Sequence, residues 1–363
     1  MAPLIDSHIH LWPASASNST AHAWMSPDLT LTKPHELSDY LEAASQPPST
    51  TSTSSTSPPP QTPSGVVYIE TDRSHANGDD QAVLEAEYLG QVCSSSPGKE
   101  LVKGIVLWCP VASSASFRDF IAQARQAMGN DTFDTRVKGF RYLFQGIHER
   151  AEFERVALGA GCVEVLRELR SSSDKAGGRQ GYAFDVGVDQ RSGGSWQLEV
   201  LDALVSVVRG RTIQGEAMRG TESAEEGCAF VLNHLCKPSF VEDDFEVWKD
   251  AISRLAGHAR VYMKLSGAFS ELLPAGKHGS ADEVYERIRP WVRHVFKEFG
   301  ASRIMFGSDW PVCNAGGPGE KQTWGLWRDV VGVALEDAEL GLTDNDKARV
   351  WGGTAVEAYS LDT

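Results

Sequence analysis

The sequence predicts an α/β protein built as a single (β/α)8 barrel, a TIM barrel with low-complexity surface insertions. Three observations predict it. Eight short apolar runs recur along the 363 residues, each closing on polar residues. Stretches with apolar residues at three- and four-residue spacing separate most of them, and such alternation means parallel strands joined by helical crossovers. Finally, the first run leads into "SHIHLWP", which lacks the glycine-rich turn more usual in a doubly wound open sheet.

The runs in order are "PLIDSHIHLW" (3–12), "GVVYIETD" (65–72), "VKGIVLWCP" (102–110), "RVKGFRYLF" (136–144), "YAFDVGVD" (182–189), "CAFVLNHL" (228–235), "RVYMKLSG" (260–267) and "RIMFGSDWP" (303–311). Helical spacing covers 79–93, 116–128, 162–170, 195–209, 243–256, 281–300 and 344–359. The segment 45–64, "SQPPSTTSTSSTSPPPQTPS", has no apolar residue and cannot offset its ordering entropy, so a disordered surface loop is expected there. Residues 171–181 and 210–227 read as weaker insertions. The expected organisation is one domain over 1–363 with 45–64 as a loop within it.

Barrel catalysts come from the C-terminal ends of strands, so the polar residues closing each run are the candidates. His8 and His10 share a strand face and point together into the mouth. Run two closes on Glu70 and Asp72, and a buried carboxylate at 70 requires a partner. Run four offers Lys138 and Arg141, whose opposite parity predicts that only one faces inward; Arg141, nearer the C-terminal end, suits gripping a substrate oxygen. Run six sets Asn233 and His234 into apolar sequence, with Lys237 just beyond. Run seven places Lys264 and Ser266 on one face. Run eight ends at Asp309 after a Gly-Ser turn, where an unpartnered carboxylate would be costly. Trp12, Trp108 and Trp310 offer apolar faces to a ring.

The 34 basic and 49 acidic residues give a formal charge of −15, which argues against a nucleic-acid or anionic-membrane surface. Six cysteines without a CxxC motif suggest reduced thiols, and no apolar stretch approaches the roughly 18 residues of a membrane span. A cytoplasmic location is expected. Oligomeric state is not legible.

"IDSHIHLW", "KGFRYL", "FVLNHLCKP", "MKLSG" and "RIMFGSDWPV" resemble the amidohydrolase superfamily, in its second large branch of sugar-lactone and pyrone-dicarboxylate lactonases. "FVLNHLCKP" looks most similar to fungal sugar-acid lactonases acting on L-rhamnono-1,4-lactone. The resemblance implies a barrel and hydrolysis at a carbonyl carbon. It maps His8 and His10 onto the HxH motif, His234 onto the strand-six histidine and Asp309 onto the strand-eight aspartate. Two departures matter. The fifth run ends in Asp185 and has no histidine, so a binuclear metal site is not expected, and Asn233-His234 stands where relatives more often have Asp-His.

The implied reaction opens a small-molecule lactone, L-rhamnono-1,4-lactone or a related aldonolactone, to its sugar acid. Asp309 activates water, while His8, His10 and His234 polarise the carbonyl directly or through one divalent metal. Imidazoles and carboxylates suit zinc, and His8, His10, Asp309 and Glu70 are the expected ligands if a metal is used. Without a metal, one protonated histidine would have to polarise the carbonyl, and activity would fall as it deprotonates. Arg141, Lys264, Lys237, Glu70, Trp108 and Trp310 are the expected substrate contacts. A metal-dependent decarboxylase of the same branch and a non-catalytic sugar-acid-binding barrel are the alternatives.

Overall fold

The computed structural model describes residues 3–46, 60, 62–76, 78–171, 181–210, 228–240, 242–272 and 278–362. Residues 47–59 and 61 of the expected loop, 172–180 and 211–227 lie outside them. The eight runs form eight parallel strands in sequential order: β1 (Ile5–Ile9), β2 (Gly65–Ile69), β3 (Val102–Trp108), β4 (Val137–Leu143), β5 (Ala183–Gly187), β6 (Phe230–Leu232), β7 (Val261–Leu265) and β8 (Ile304–Phe306). The ring closes where Ile9 bridges Trp310 and the His10 amide donates to the Trp310 carbonyl at 2.8 Å.

Two apolar layers hold it. The outward faces of the strands pack on the surrounding helices. The inward face is filled at its N-terminal end by Ile5, Val67, Val106, Ala183, Ala229 and Tyr262. The last helix, Thr354–Ala358, and the tail behind it plug this end with Ala355, Tyr359 and Leu361. Gly104 makes room for the plug, since a Cβ there would lie 2.9 Å from Leu361 Cδ2.

The structure corrects four sequence expectations. The helix Thr323–Leu335 escaped the pattern search because nearly every position is buried, and a helix apolar all round carries no amphipathic stripe. The expected helix 344–359 is two short helices, Asp344–Ala348 and Thr354–Ala358, joined by a wider π turn over Arg349–Gly353. Runs six and eight leave the ladder early, at Leu232 and Phe306, so His234 and Asp309 sit on turns just past their strands. Parity also fails in run four. Lys138 and Arg141 are both buried, the first reaching the Ser360 carbonyl and Asp362 at the plug, the second turned to Glu70. The β3–β4 register shifts between Ile105 and Val106, and such irregularities break strict alternation. Among the described residues, no helix is long and apolar enough to cross a membrane.

Candidate active site

The site is built outward from Asp6. This side chain points away from the barrel axis on β1, where Oδ1 accepts the Ser308 amide at 2.8 Å and Oδ2 accepts Tyr40 Oη and Trp324 Nε1 at 2.9 and 3.0 Å. It thereby staples β1 to the turn that follows β8. Past Asp6 the β1–β2 register shifts, and His8 and His10 come to face the mouth together. The Asp309 amide donates to the His8 carbonyl at 2.8 Å. Gly307 permits this approach, because a Cβ there would be 3.0 Å from His8 Cβ.

Two turns then bend sharply. His234, Leu235, Cys236 and Lys237 all have left-handed φ, between 47° and 61°, and Asp309 has φ 62°. Non-glycine residues adopt this region at a cost of order 1 kcal/mol each, and they gather at functional sites. The bends bring three imidazoles to one carboxylate. His10, His8 and His234 Nε2 lie 3.4, 3.5 and 3.7 Å from Asp309 Oδ1. All four residues are buried. The rear nitrogens are also held. His10 Nδ1 donates to the Ile69 carbonyl at 2.8 Å, His234 Nδ1 lies 2.9 Å from Ser266 Oγ, and His8 Nδ1 lies 3.1 Å from Lys264 Nζ.

Burial pushes His8 well below an ordinary imidazole, with Lys264 adding to it. Burial likewise lowers His234 to about 3, against the opposing pull of Asp309. Burial would raise Asp309, but His234, His10 and Lys237 outweigh it, so its carboxyl stays below the usual range. At neutral pH the cluster therefore holds an ionised carboxylate beside neutral His8 and His234. A neutral N–H can polarise a carbonyl without an imidazolium.

The sequence-predicted substrate contacts take several places. Arg141 reaches across the mouth from β4 to β2, with Nε on Glu70 Oε1 at 2.6 Å and Nη2 on the Glu70 carbonyl at 2.5 Å. Glu70 Oε2 accepts the Asp72 amide at 2.6 Å. Both Glu70 oxygens are thus engaged, and Glu70 anchors Arg141; it is not among the three residues whose ligand atoms come together for an ion, His8, His234 and Asp309. Lys264 is fully buried beneath His8, with Asp185 Oδ2 at 2.5 Å, so it props the site and offers no face to a substrate. Lys237 stands half-buried at the end of the left-handed turn. Trp108 stacks on His75 at 3.9 Å and, with Tyr142 and Arg155, lines a side cavity of about 490 Å³. Trp310 turns away from the histidines to pack on His35 and Tyr40, and Trp12 packs on His35 and Trp24.

Sequence reasoning missed three contributors. Asp6 could have been found as an acidic residue inside an apolar run. Gly267 (φ 68°) leaves the space that His234 fills. Glu271 is buried just past β7 with Arg191 Nε at 2.7 Å; burial raises its carboxyl, against Lys237 and Arg191. Asn233, set beside His234 among the candidates above, is 1% exposed, and neither atom of its side-chain amide has a partner among the described residues.

His8, His234 and Asp309 each offer one ligand atom within 4.8 Å of the others, and His10 Nε2 meets the same carboxylate oxygen. Neutral imidazole and carboxylate are donors a divalent ion accepts, so the residues present fit such an ion.

Comparison with known proteins agrees with this geometry. The amidohydrolase family profile matches residues 199–361. An L-rhamnono-gamma-lactonase of Scheffersomyces stipitis is 26% identical over 99% of this chain and 98% of its own. An L-fucono-1,5-lactonase of Burkholderia ambifaria is 38% identical over 133 residues, 36% of this chain and 41% of its own. The crystal structure of a zinc-bound amidohydrolase from Burkholderia multivorans superposes with a TM-score of 0.70 at 22% identity, over 99% of this chain and all of that one.

Proposed function

We propose that this chain is a hydrolase of the amidohydrolase family, whose profile matches residues 199–361, and that it opens a sugar-derived lactone, L-rhamnono-1,4-lactone or a related aldonolactone, to the sugar acid. The observation that carries the proposal is the convergence of three imidazole Nε2 atoms on one ionised carboxylate oxygen at the barrel mouth. The full-length likeness to a rhamnono-lactonase supports the substrate class.

Asp309 takes a proton from water as the water oxygen bonds to the lactone carbonyl carbon. The histidine N–H groups that face the carbonyl oxygen stabilise its developing charge. The bond from the carbonyl carbon to the ring oxygen then breaks, and the proton held on Asp309 passes to that oxygen. Arg141, held across the mouth by Glu70, and the unpartnered Asn233 amide are the groups for hydroxyls of the ring. Were a divalent ion bound, zinc foremost, His8, His234 and Asp309 are the residues that would hold it, and it would polarise the carbonyl in place of those N–H groups and lower the pKa of water toward roughly 7.

The test is proton release from L-rhamnono-, L-fucono-, D-galactono- and L-galactono-lactones, before and after chelation. Release fastest with the rhamnono-lactone, lost on chelation and restored by zinc, is expected. Carbon dioxide evolved from aromatic carboxylates, with no lactone opened, would instead favour the decarboxylase. The pH profile is a second check. His8 and His234 remain neutral throughout the ordinary histidine range near 6.5. Asp309, whose pKa is lowered, is ionised above its own pKa and loses activity only as pH falls through it, below 3.8. We therefore expect no histidine-linked fall in kcat/KM as pH rises from about 6 to about 8. A fall centred near 6.5 would mean that a histidine cation does the polarising.

A further inference from the structure

The turn that carries His234 is contorted, because His234, Leu235, Cys236 and Lys237 follow one another with left-handed φ. Such a run persists only where its surroundings over-determine it. Its first two residues are held from below and behind. Ser266 Oγ lies 2.9 Å from His234 Nδ1, and Trp248 Nε1, on the helix Glu242–Ala256, donates to the Leu235 carbonyl at 2.9 Å. The far end of the run, Lys237, is held from elsewhere.

Arg191 reaches that far end from the neighbouring strand. It sits on the short helix after β5, Gln190–Gly193, which Asp189 fixes in place. Asp189 Oδ1 accepts the Ser192 amide at 2.8 Å, and the Asp189 amide donates to Gln197 Oε1 at 2.9 Å. The Arg191 amide donates to the Lys237 carbonyl at 3.0 Å. The Arg191 side chain continues to the turn after β7, where Nε lies 2.7 Å from Glu271 Oε2. The Glu271 side chain is 2% exposed and has no other ion-pair partner among the described residues. A carboxylate so enclosed depends on the cation it meets.

We infer that Arg191 and Glu271 are positioning residues, a strap running from the loop after β5 to the turn after β7 that keeps the His234 turn in its working conformation. The bond to Lys237 uses only the backbone of residue 191, and the ion pair fixes where that backbone stands. The contact with Glu271 is charge pairing rather than an aligned hydrogen bond, since Oε2 accepts none. A lysine at 191 should therefore serve, whereas an apolar residue should not. Without the strap the run is free to relax toward ordinary φ, and His234 Nε2 moves away from its place 3.7 Å from Asp309 Oδ1. A displacement of about 1 Å at a catalytic group costs on the order of 10²-fold. The catalytic consequence rests on the lactonase reading; the hold on the turn does not.

The first readout needs no substrate. Amide hydrogen exchange of the full chain is followed at Cys236 and Lys237, whose amides donate to the Asn233 and His234 carbonyls at 2.8 Å, and compared with exchange in β2, β3 and β4. The double variant Arg191→Met, Glu271→Gln removes both charges, so no buried ion is left alone. Exchange at the two amides should rise at least about tenfold while the three strands stay unchanged. For the preferred lactone, kcat should fall about 10- to 100-fold with KM within about threefold of wild type. Arg191→Lys should keep exchange and kcat within about threefold. Arg191→Met alone, at a side chain 37% exposed, should show the same rise and serves if the double variant fails to fold. Unchanged exchange at Cys236 and Lys237 overturns the inference. So does a rise spread evenly over the strands, which means general loosening, or an Arg191→Lys chain as damaged as Arg191→Met. A rise in KM alone would make Glu271 a substrate contact and equally overturn it. A wild-type chain that opens no lactone removes the functional reading and leaves the exchange data to decide the strap.

Discussion

Asp309→Asn should abolish lactone opening while leaving the barrel intact. An amide cannot take a proton from water, and a positioned general base contributes about 10²- to 10⁴-fold, so kcat should fall within that range. The fold has little reason to change. The shape is conserved, and the Asp309 amide bond to the His8 carbonyl belongs to the backbone. The left-handed φ of 62° is one that asparagine adopts readily. Proton release on the preferred lactone, with thermal melts alongside, checks both halves. A variant that folds and turns over within tenfold of wild type would remove Asp309 as the base.

Gly267→Ala should be nearly as damaging, although residue 267 lies outside the cluster. A Cβ at this position would stand 2.4 Å from His234 Nδ1 and 2.6 Å from its Cγ. No real Cβ tolerates such contacts, so the imidazole must move. It has nowhere cheap to go, because Ser266 holds it at 2.9 Å and its own backbone is already left-handed. A shift of about 1 Å in a catalytic group costs on the order of 10²-fold. Alanine at φ 68° adds roughly 1–2 kcal/mol of strain. Measuring kcat together with the melting temperature separates the two effects. A lower melting temperature with unchanged kcat would show that His234 is not held in a working position.

These two residues also mark how far the sequence could be read. Asp309 and His234 were visible because polar side chains stood at the ends of apolar runs, where burial without a function or a partner is expensive. His8 and His10 were visible through their spacing. Gly267 carried no such signal. Its importance lies in a contact with a residue 33 positions earlier on the neighbouring strand's turn, and one sequence does not show that approach. Glu70, Arg141 and Lys264 fall between these cases. Each was legible as a polar group near a strand end, and each was expected at the substrate. The structure pairs Arg141 with Glu70 and sets Lys264 beneath His8.

Taken alone, the amino-acid order determined the eight strands, most of the helices between them and the four residues of the central cluster. Periodicity reports which face of an element is buried, and the cost of burying polar groups singles out those kept for chemistry. Only the tertiary structure decided which polar group meets which. Lys264 and His8 are 256 positions apart, and Tyr359 and Asp185 are 174 apart. Such meetings exist only once the ring has closed and the tail has plugged it. The partner that each histidine nitrogen faces follows from those meetings, because a nitrogen's role depends on the atom opposite it.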